Sequence, residues 1–350
     1  MPVPPRNAAT YGDERPGQPS PTELIRAARG PRHQVARDRP VASFSEQEIR
    51  TAGQTVTTQV VILGGAECRF TCAMCDLWRN TTISATPPGA IPAQIRGAVA
   101  AASPDIESSG TTTGPARWIK LYNGSNFFDV RNVPREDLPE IARLVRPFER
   151  IVVENHPRLM TAAIPRFRDQ CHGRLEVAMG LECTHPDILP RLNKQMTLTD
   201  FTTACHRLHG WGVDTRAFVL LGLPWLPATE AVEWCVHAVR FAWAQGVRHV
   251  SVVPTRPGNG FLDRLAGEGL FEPPTAAAVE AVVAVLLESK DCQATTAGGD
   301  PQLVTVDLWD WPQLAGHCGV CSDRRRDRLV AMNCGQHSLP LVESSCGCTP

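Results

Sequence analysis

The chain has 350 residues, 43% hydrophobic and 20% charged, with a formal net charge of -1. That supplies a sizeable core and excludes a wholly disordered chain, and the balanced charge disfavours a protein that mainly coats nucleic acid. No apolar run reaches the roughly 18 residues of a membrane span, and the first residues carry no apolar signal segment. A cytoplasmic location is therefore expected, where 13 cysteines point to metal or redox chemistry rather than to a disulfide scaffold.

Residues 1–56 read as a partly flexible, proline-rich N-terminal extension with two short helices. Ser20-Pro21-Thr22-Glu23 is a capping box, with Gly30 beyond the helix end, and Ser45 with Glu48 forms a second box that ends near Gly53. From residue 57 the pattern alternates between strand and helix. Thr58–Leu63, Trp118–Tyr122, Ile151–Glu154, Leu175–Gly180, Thr215–Leu221 and His249–Val253 are short apolar runs without strict alternation, as in parallel strands covered on both faces. Helical spacing places Phe201, Ala204, Cys205 and Leu208 on one face, then Val232, Val236, Val239 and Trp243, then Val279, Val282, Val283, Leu286 and Leu287.

Six such units predict an α/β fold, a partial (β/α)6 TIM-like barrel over 57–290, with chemistry at the C-terminal ends of the strands. A doubly wound open sheet is the alternative, disfavoured because no G-x-G-x-x-G follows the first strand. Residues 291–350 form a Cys-rich C-terminal segment, with Val304–Trp309 as a further strand.

The first strand runs into Cys68-Arg69-Phe70-Thr71-Cys72-Ala73-Met74-Cys75, a C-x3-C-x2-C loop. Polar Arg69 and Thr71 between the cysteines argue against three core residues. Soft thiolates suit an iron–sulfur cluster or zinc. A [4Fe–4S] cluster takes four ligands, so three leave one iron open to a small chelating molecule. A structural zinc knuckle is the competing reading, and it lacks a nearby fourth ligand in sequence.

This loop, placed directly after the first barrel strand, resembles the signature of radical S-adenosylmethionine (SAM) enzymes. The resemblance spans about residues 57–290. Leu121–Phe127 (LYNGSNF), Glu154-Asn155-His156-Pro157, Gly180-Leu181-Glu182-Cys183, Arg191–Lys194 and Arg216–Pro224 are similar to segments of the branch that includes the Elongator catalytic subunit and archaeosine synthase. The resemblance implies that Cys68, Cys72 and Cys75 hold a [4Fe–4S] cluster, and that Met74, Asn123, Gly124, Ser125, Glu154, Glu182 and Arg216 bind SAM. It further implies reductive SAM cleavage to a 5′-deoxyadenosyl radical that abstracts hydrogen from substrate, with a flavodoxin- or ferredoxin-like electron donor. The residue before the third cysteine is usually aromatic in that superfamily; here it is Met74, whose thioether can pack on a purine, and Trp78 offers a further aromatic surface.

In the tail, Cys318 with Cys321 (C-x2-C) and Cys346 with Cys348 (C-x-C) can supply a full four-thiolate site. A second [4Fe–4S] cluster is the first reading, structural zinc the next, and free thiols or a redox disulfide the remainder; Cys334 reads as a bystander. Cys171, Cys183, Cys205, Cys235 and Cys292 read as core residues. Arg324–Arg328 reads as a solvated helix face, with a phosphate clamp as the alternative. No residue is singled out as catalytic. A small biosynthetic molecule is the expected substrate, with tRNA modification and a non-catalytic iron–sulfur or zinc protein as alternatives.

Overall fold

A computed structural model describes residues 19–102, 115–289, 295–296, 299–342 and 346–348. Eight strands form one sheet in chain order: β1 (Ala42–Thr51), β2 (Gln54–Leu63), β3 (Trp118–Asn123), β4 (Arg150–Glu154), β5 (Arg174–Glu182), β6 (Asp214–Leu221), β7 (His249–Pro254) and β8 (Leu303–Val306). β1 and β2 are an antiparallel hairpin, and every later neighbour pair is parallel. The helices are α1 (Pro21–Ala27), α2 (Ala90–Ala101), α3 (Leu138–Leu144), α4 (Ala163–Gln170), α5 (Ile188–Arg191), α6 (Leu198–Gly210), α7 (Ala231–Ala244), α8 (Phe261–Gly267), α9 (Ala276–Glu288) and α10 (Ser322–Gly335). The architecture is the expected partial barrel. β1 and β8 extend its sheet from outside residues 57–290.

The apolar faces read from sequence are the buried ones. Phe201, Ala204, Cys205 and Leu208 of α6 lie under the sheet, as do Val279, Val282, Val283, Leu286 and Leu287 of α9. The Ser20–Glu23 box caps α1 as its spacing requires. The Ser45–Glu48 box does not form. Those residues lie in β1, which turns through Ala52-Gly53, with Gly53 at φ +72°, into its partner β2. The tertiary reason is Glu48. As a strand residue it enters the floor of the barrel, where it pairs with Lys120 and Arg216 and lies 3.5 Å from His249 Nδ1.

That floor is a largely buried charge network. Arg216 donates to Glu176 at 2.6 Å, Arg150 bridges Glu176 at 2.7 Å and Asp214 at 2.5 Å, and Arg248 lies 3.5 Å from Glu176. Burial opposes ionisation of Glu176, but the guanidiniums of Arg216, Arg150 and Arg248 override it and hold the carboxyl well below its ordinary value.

The sheet does not close on itself by strand pairing among the described residues; α10 fills the seam. Val304 N–H donates to Gln336 Oε1 at 3.0 Å and Gln336 Nε2 donates back to Val304 O at 2.7 Å. Two residues along β8, Val306 makes the same exchange with Asn333, at 2.9 Å in each direction. Two side-chain amides thus stand in for the missing neighbour strand. On the other flank Gly53 N–H donates to Cys334 O at 2.8 Å, which joins α10 to the β1–β2 turn. An open strand edge inside a fold leaves backbone groups unpaired, and this helix removes that cost.

Candidate metal and cofactor site

β2 delivers the chain to the C-terminal rim of the sheet at Gly64-Gly65, and the cysteine loop begins three residues later. Gly64 is clamped from both sides by Gln94 of α2, through N–H to Oε1 and Nε2 to O, each at 2.8 Å. Gly65 lies so close to Asn132 and Thr86 that a Cβ would meet Asn132 Oδ1 at 2.2 Å. The loop is then pinned along its length. Asn193 Nδ2 donates to Thr71 O and Asn259 Nδ2 to Ala73 O, each at 2.7 Å, and Ala73 N–H donates to Leu192 O at 2.9 Å. Arg69 forks onto Asp129 at 2.8 and 2.9 Å, and the Phe70 ring stacks on His156 with centroids 3.7 Å apart.

Cys68, Cys72 and Cys75 lie close together on this loop: Cys68 raises the pKa of both Cys72 and Cys75, and Cys75 raises that of Cys72. Burial is the main cause for each; it pushes Cys75 up to about 12 and Cys72 further, with Lys194 pulling the other way at Cys72. Three half-buried thiols that resist ionisation alone become good ligands once a cationic metal centre takes up their charge. Asn126 Nδ2 donates to Cys68 Sγ at 3.2 Å while its Oδ1 accepts His156 N–H at 2.7 Å. His156 is itself held neutral, its pKa lowered to about 3 by burial, and it donates from Nε2 to Lys194 O at 3.0 Å.

The other strand ends bring polar groups to the same rim. Glu154, the last residue of β4, accepts Asn123 N–H at 2.9 Å, and burial pushes its carboxyl up to about 7. Asn123 Oδ1 accepts Ser125 N–H at 2.7 Å, so its acceptor is engaged and its donor is the group left over. Asn123 Nδ2 and Ser125 Oγ are buried and have no hydrogen-bond partner among the described residues. Orphaned polar atoms of this kind carry a desolvation cost that a bound polar molecule would remove. Gly124 fits because a Cβ there would meet Thr81 Cγ2 at 2.6 Å and Leu77 O at 2.8 Å. These residues fit a three-thiolate cluster with an amino-acid-like ligand beside it.

Glu182 closes β5 on a bulge, with φ +66°. Its carboxylate pairs with Lys194 at 2.7 Å, and both are buried. Met74 is half-buried between the main core and a smaller apolar group around Ile25 and Phe261.

Two sequence expectations change here. Arg216 is not at the rim. It is the third residue of β6, paired with His249 at the start of β7, and its guanidinium is committed to Glu176 and Glu48 in the floor. Trp78 does not offer a free ring face: it is buried, and the guanidiniums of Arg29 and Arg32 lie 4.8 and 5.7 Å from its centroid. Lys194, Asn126 and His156 were legible only as members of longer matched segments; their proximity to the thiols is a product of folding.

Beside Cys68 a cleft of about 590 Å³ is lined by Arg26, Arg29, Arg32, Arg69 and Arg131 against the single carboxylate of Glu67. Near Asp76, Arg256 bridges to Asp310, and these two residues line a second cavity of about 100 Å³ with Thr255 and Trp311.

The tail thiols also converge. The Sγ atoms of Cys318, Cys321, Cys346 and Cys348 all lie within 4.8 Å of one another, and Cys334 is outside the group, one residue from the far end of α10. Cys183, Cys205 and Cys235 are buried and Cys171 half-buried; Cys292 lies outside the described residues. In the arginine run, Arg325 and Arg328 are buried against Glu280 of α9 at 2.5 and 3.4 Å, and Arg324 and Arg326 face out.

No family model and no curated protein matches the chain. Solved structures do. They include the radical SAM methyltransferase TsrM of Kitasatospora setae, with a cobalamin and a [4Fe–4S] cluster bound (TM-score 0.38, 15% identity, 55% of this chain and 36% of that one). A radical SAM methyltransferase from Sphaerobacter thermophilus is similar over 76% of each chain (TM-score 0.46, 15% identity). The archaeal Elp3 of Methanocaldococcus infernus is similar over 73% of this chain and 56% of that one (TM-score 0.46, 13% identity). The chain thus spans 36% of the length of TsrM.

Proposed function

We propose that the chain is a radical SAM enzyme acting on a small molecule. The observation that carries this reading is the pinned loop at the end of β2. It holds three half-buried thiols close together beside the Glu154 carboxyl, an Asn123 Nδ2 and a Ser125 hydroxyl, the last two without a hydrogen-bond partner among the described residues. Cys68, Cys72 and Cys75 would hold a [4Fe–4S] cluster, which with SAM supplies one-electron cleavage of the sulfonium to methionine and a 5′-deoxyadenosyl radical.

Around that chemistry the chain's own residues bind and orient. Glu154 and the Ser125 hydroxyl accept from the ammonium of SAM, and Asn123 Nδ2 donates to its carboxylate. Gly124 lets the backbone approach, Met74 offers a thioether to the adenine, and the Glu182–Lys194 pair fixes the far wall. The cavity at Thr255, Arg256 and Trp311, reached from the cysteine loop through the Arg256–Asp76 pair, is in keeping with a small substrate or one small reacting part of it. The arginine-lined cleft beside Cys68 supports a negatively charged protein as reductant, in the manner of a flavodoxin or ferredoxin.

The test is anaerobic. Reconstituted protein given SAM and dithionite should release 5′-deoxyadenosine, and Cys72→Ala should abolish release while the barrel stays folded. An intact cluster with SAM bound and no 5′-deoxyadenosine would overturn the reading.

A further inference from the structure

We propose that Cys318, Cys321, Cys346 and Cys348 hold a single zinc ion rather than a second iron–sulfur cluster, and that the ion staples α10 into the seam of the barrel. Tetrahedral zinc with Zn–S bonds of about 2.3 Å sets its ligand sulfurs about 3.8 Å apart. The four tail sulfurs all lie within 4.8 Å of one another, with Cys318 and Cys321 at 4.0 Å. In a [4Fe–4S] cube each thiolate binds a different iron at a different corner, so its sulfurs stand farther apart than four that share one metal. No other set among the described residues is as tight, the three loop cysteines included.

The local backbone fits a metal knuckle. Cys318 O accepts N–H from Cys321 at 3.1 Å and from Ser322 at 2.9 Å, which folds the C-x2-C turn back on itself and points both sulfurs one way. His317 is not a competing ligand. Its ring stacks on Trp311 with centroids 5.0 Å apart, and its Nε2 is bonded to Trp311 O at 2.9 Å. Four protein ligands leave no open coordination position, so the ion is structural. Binding replaces four thiol protons with one divalent cation, and the protons leave to solvent.

The consequence follows from where the knuckle sits. Cys321 is the cap residue of α10, the helix whose Asn333 and Gln336 pair with the open edge of β8. The ion ties the entry of that helix to residues 346–348, which follow it.

Metal content of the full chain, purified anaerobically, tests this without reference to activity. One zinc per chain is expected beside the iron of the loop. Cys318→Ser and Cys346→Ser should lose the zinc, keep the iron and melt at lower temperature; Cys68→Ala should lose iron and keep zinc, which separates this proposal from the reading of the loop. If the serine variants fail to fold, cobalt(II) loaded into the zinc-free wild-type chain should give the intense visible bands of a tetrahedral tetrathiolate site at one equivalent, displaced by zinc. Iron in excess of one cluster and absent zinc, zinc retained in Cys318→Ser, or cobalt bound without thiolate charge-transfer bands would each overturn it.

Discussion

The Lys194 ammonium lies 2.7 Å from the Glu182 carboxylate in a buried pair, and the space both occupy exists because residue 180 has no side chain: a Cβ there would come within 1.9 Å of Glu182 Oε1 and 2.5 Å of Lys194 Nζ. Gly180→Ala should therefore separate the pair. Lys194→Met leaves Glu182 buried and alone, with an expected loss of about 3–5 kcal/mol. Lys194→Met combined with Glu182→Leu should recover much of that loss. Urea unfolding of the two single variants and the double variant measures the coupling; additive losses would refute it.

Asn126 gives Cys68 its side-chain hydrogen bond, at 3.2 Å. Hydrogen bonds to the ligand sulfurs stabilise the more negative, reduced cluster and raise its potential. Asn126→Asp keeps an acceptor for His156 N–H and replaces the donor with a negative charge. A redox titration followed by electron paramagnetic resonance should find the cluster reduced at more negative potential, and an unchanged midpoint would dismiss the role.

Burial pushes the Glu154 carboxyl up to about 7 from an ordinary 4.5. With the folded pKa raised, the folded state keeps its proton where the unfolded state has lost it. The contribution to stability is fully present below about 4.5 and is lost as pH rises to about 7, by on the order of 3 kcal/mol. A cationic ligand reverses the preference, since an ammonium needs the ionised carboxylate. SAM affinity should rise with pH through about 7 and level off above it. Glu154→Gln should weaken SAM binding and flatten that dependence. Calorimetry in buffers of different ionisation enthalpy reads the released proton directly, and equal proton release in wild type and Glu154→Gln would count against it.

The seam depends on Asn333 and Gln336. Asn333→Leu strips a buried backbone N–H and C=O of Val306 of their partners, a loss of about 1–3 kcal/mol for each group left unsatisfied. The amides of Val304 and Val306 should then exchange with solvent faster than those of β4 and β5. Uniform protection across the sheet would mean that the helix does not seal β8.

Arg26 and Arg131 are exposed at the mouth of the cleft beside Cys68. Reversing both to Glu should slow SAM cleavage driven by an acidic flavoprotein more than cleavage driven by dithionite. The flavoprotein-driven rate of the wild type should also fall as salt screens the encounter. Equal loss with both reductants would place the arginines in folding rather than docking.

The sequence by itself determined the alternation of strand and helix, the buried faces of α6 and α9, the loop that carries Cys68, Cys72 and Cys75, and the rim position of Glu154. Each of these follows from local spacing or from a strand end, where neighbours in sequence are neighbours in space. Tertiary structure decided what distance along the chain conceals. It drew Ser45–Glu48 into a strand because the barrel floor neutralises Glu48 with Lys120 and Arg216. It placed Arg216 in that floor rather than at the rim, because a residue near the start of a parallel strand lies at the opposite end from the loops. It closed an unpaired edge with two amides from a helix thirty residues on, and gathered four thiols to a spacing that no count of intervening residues reveals.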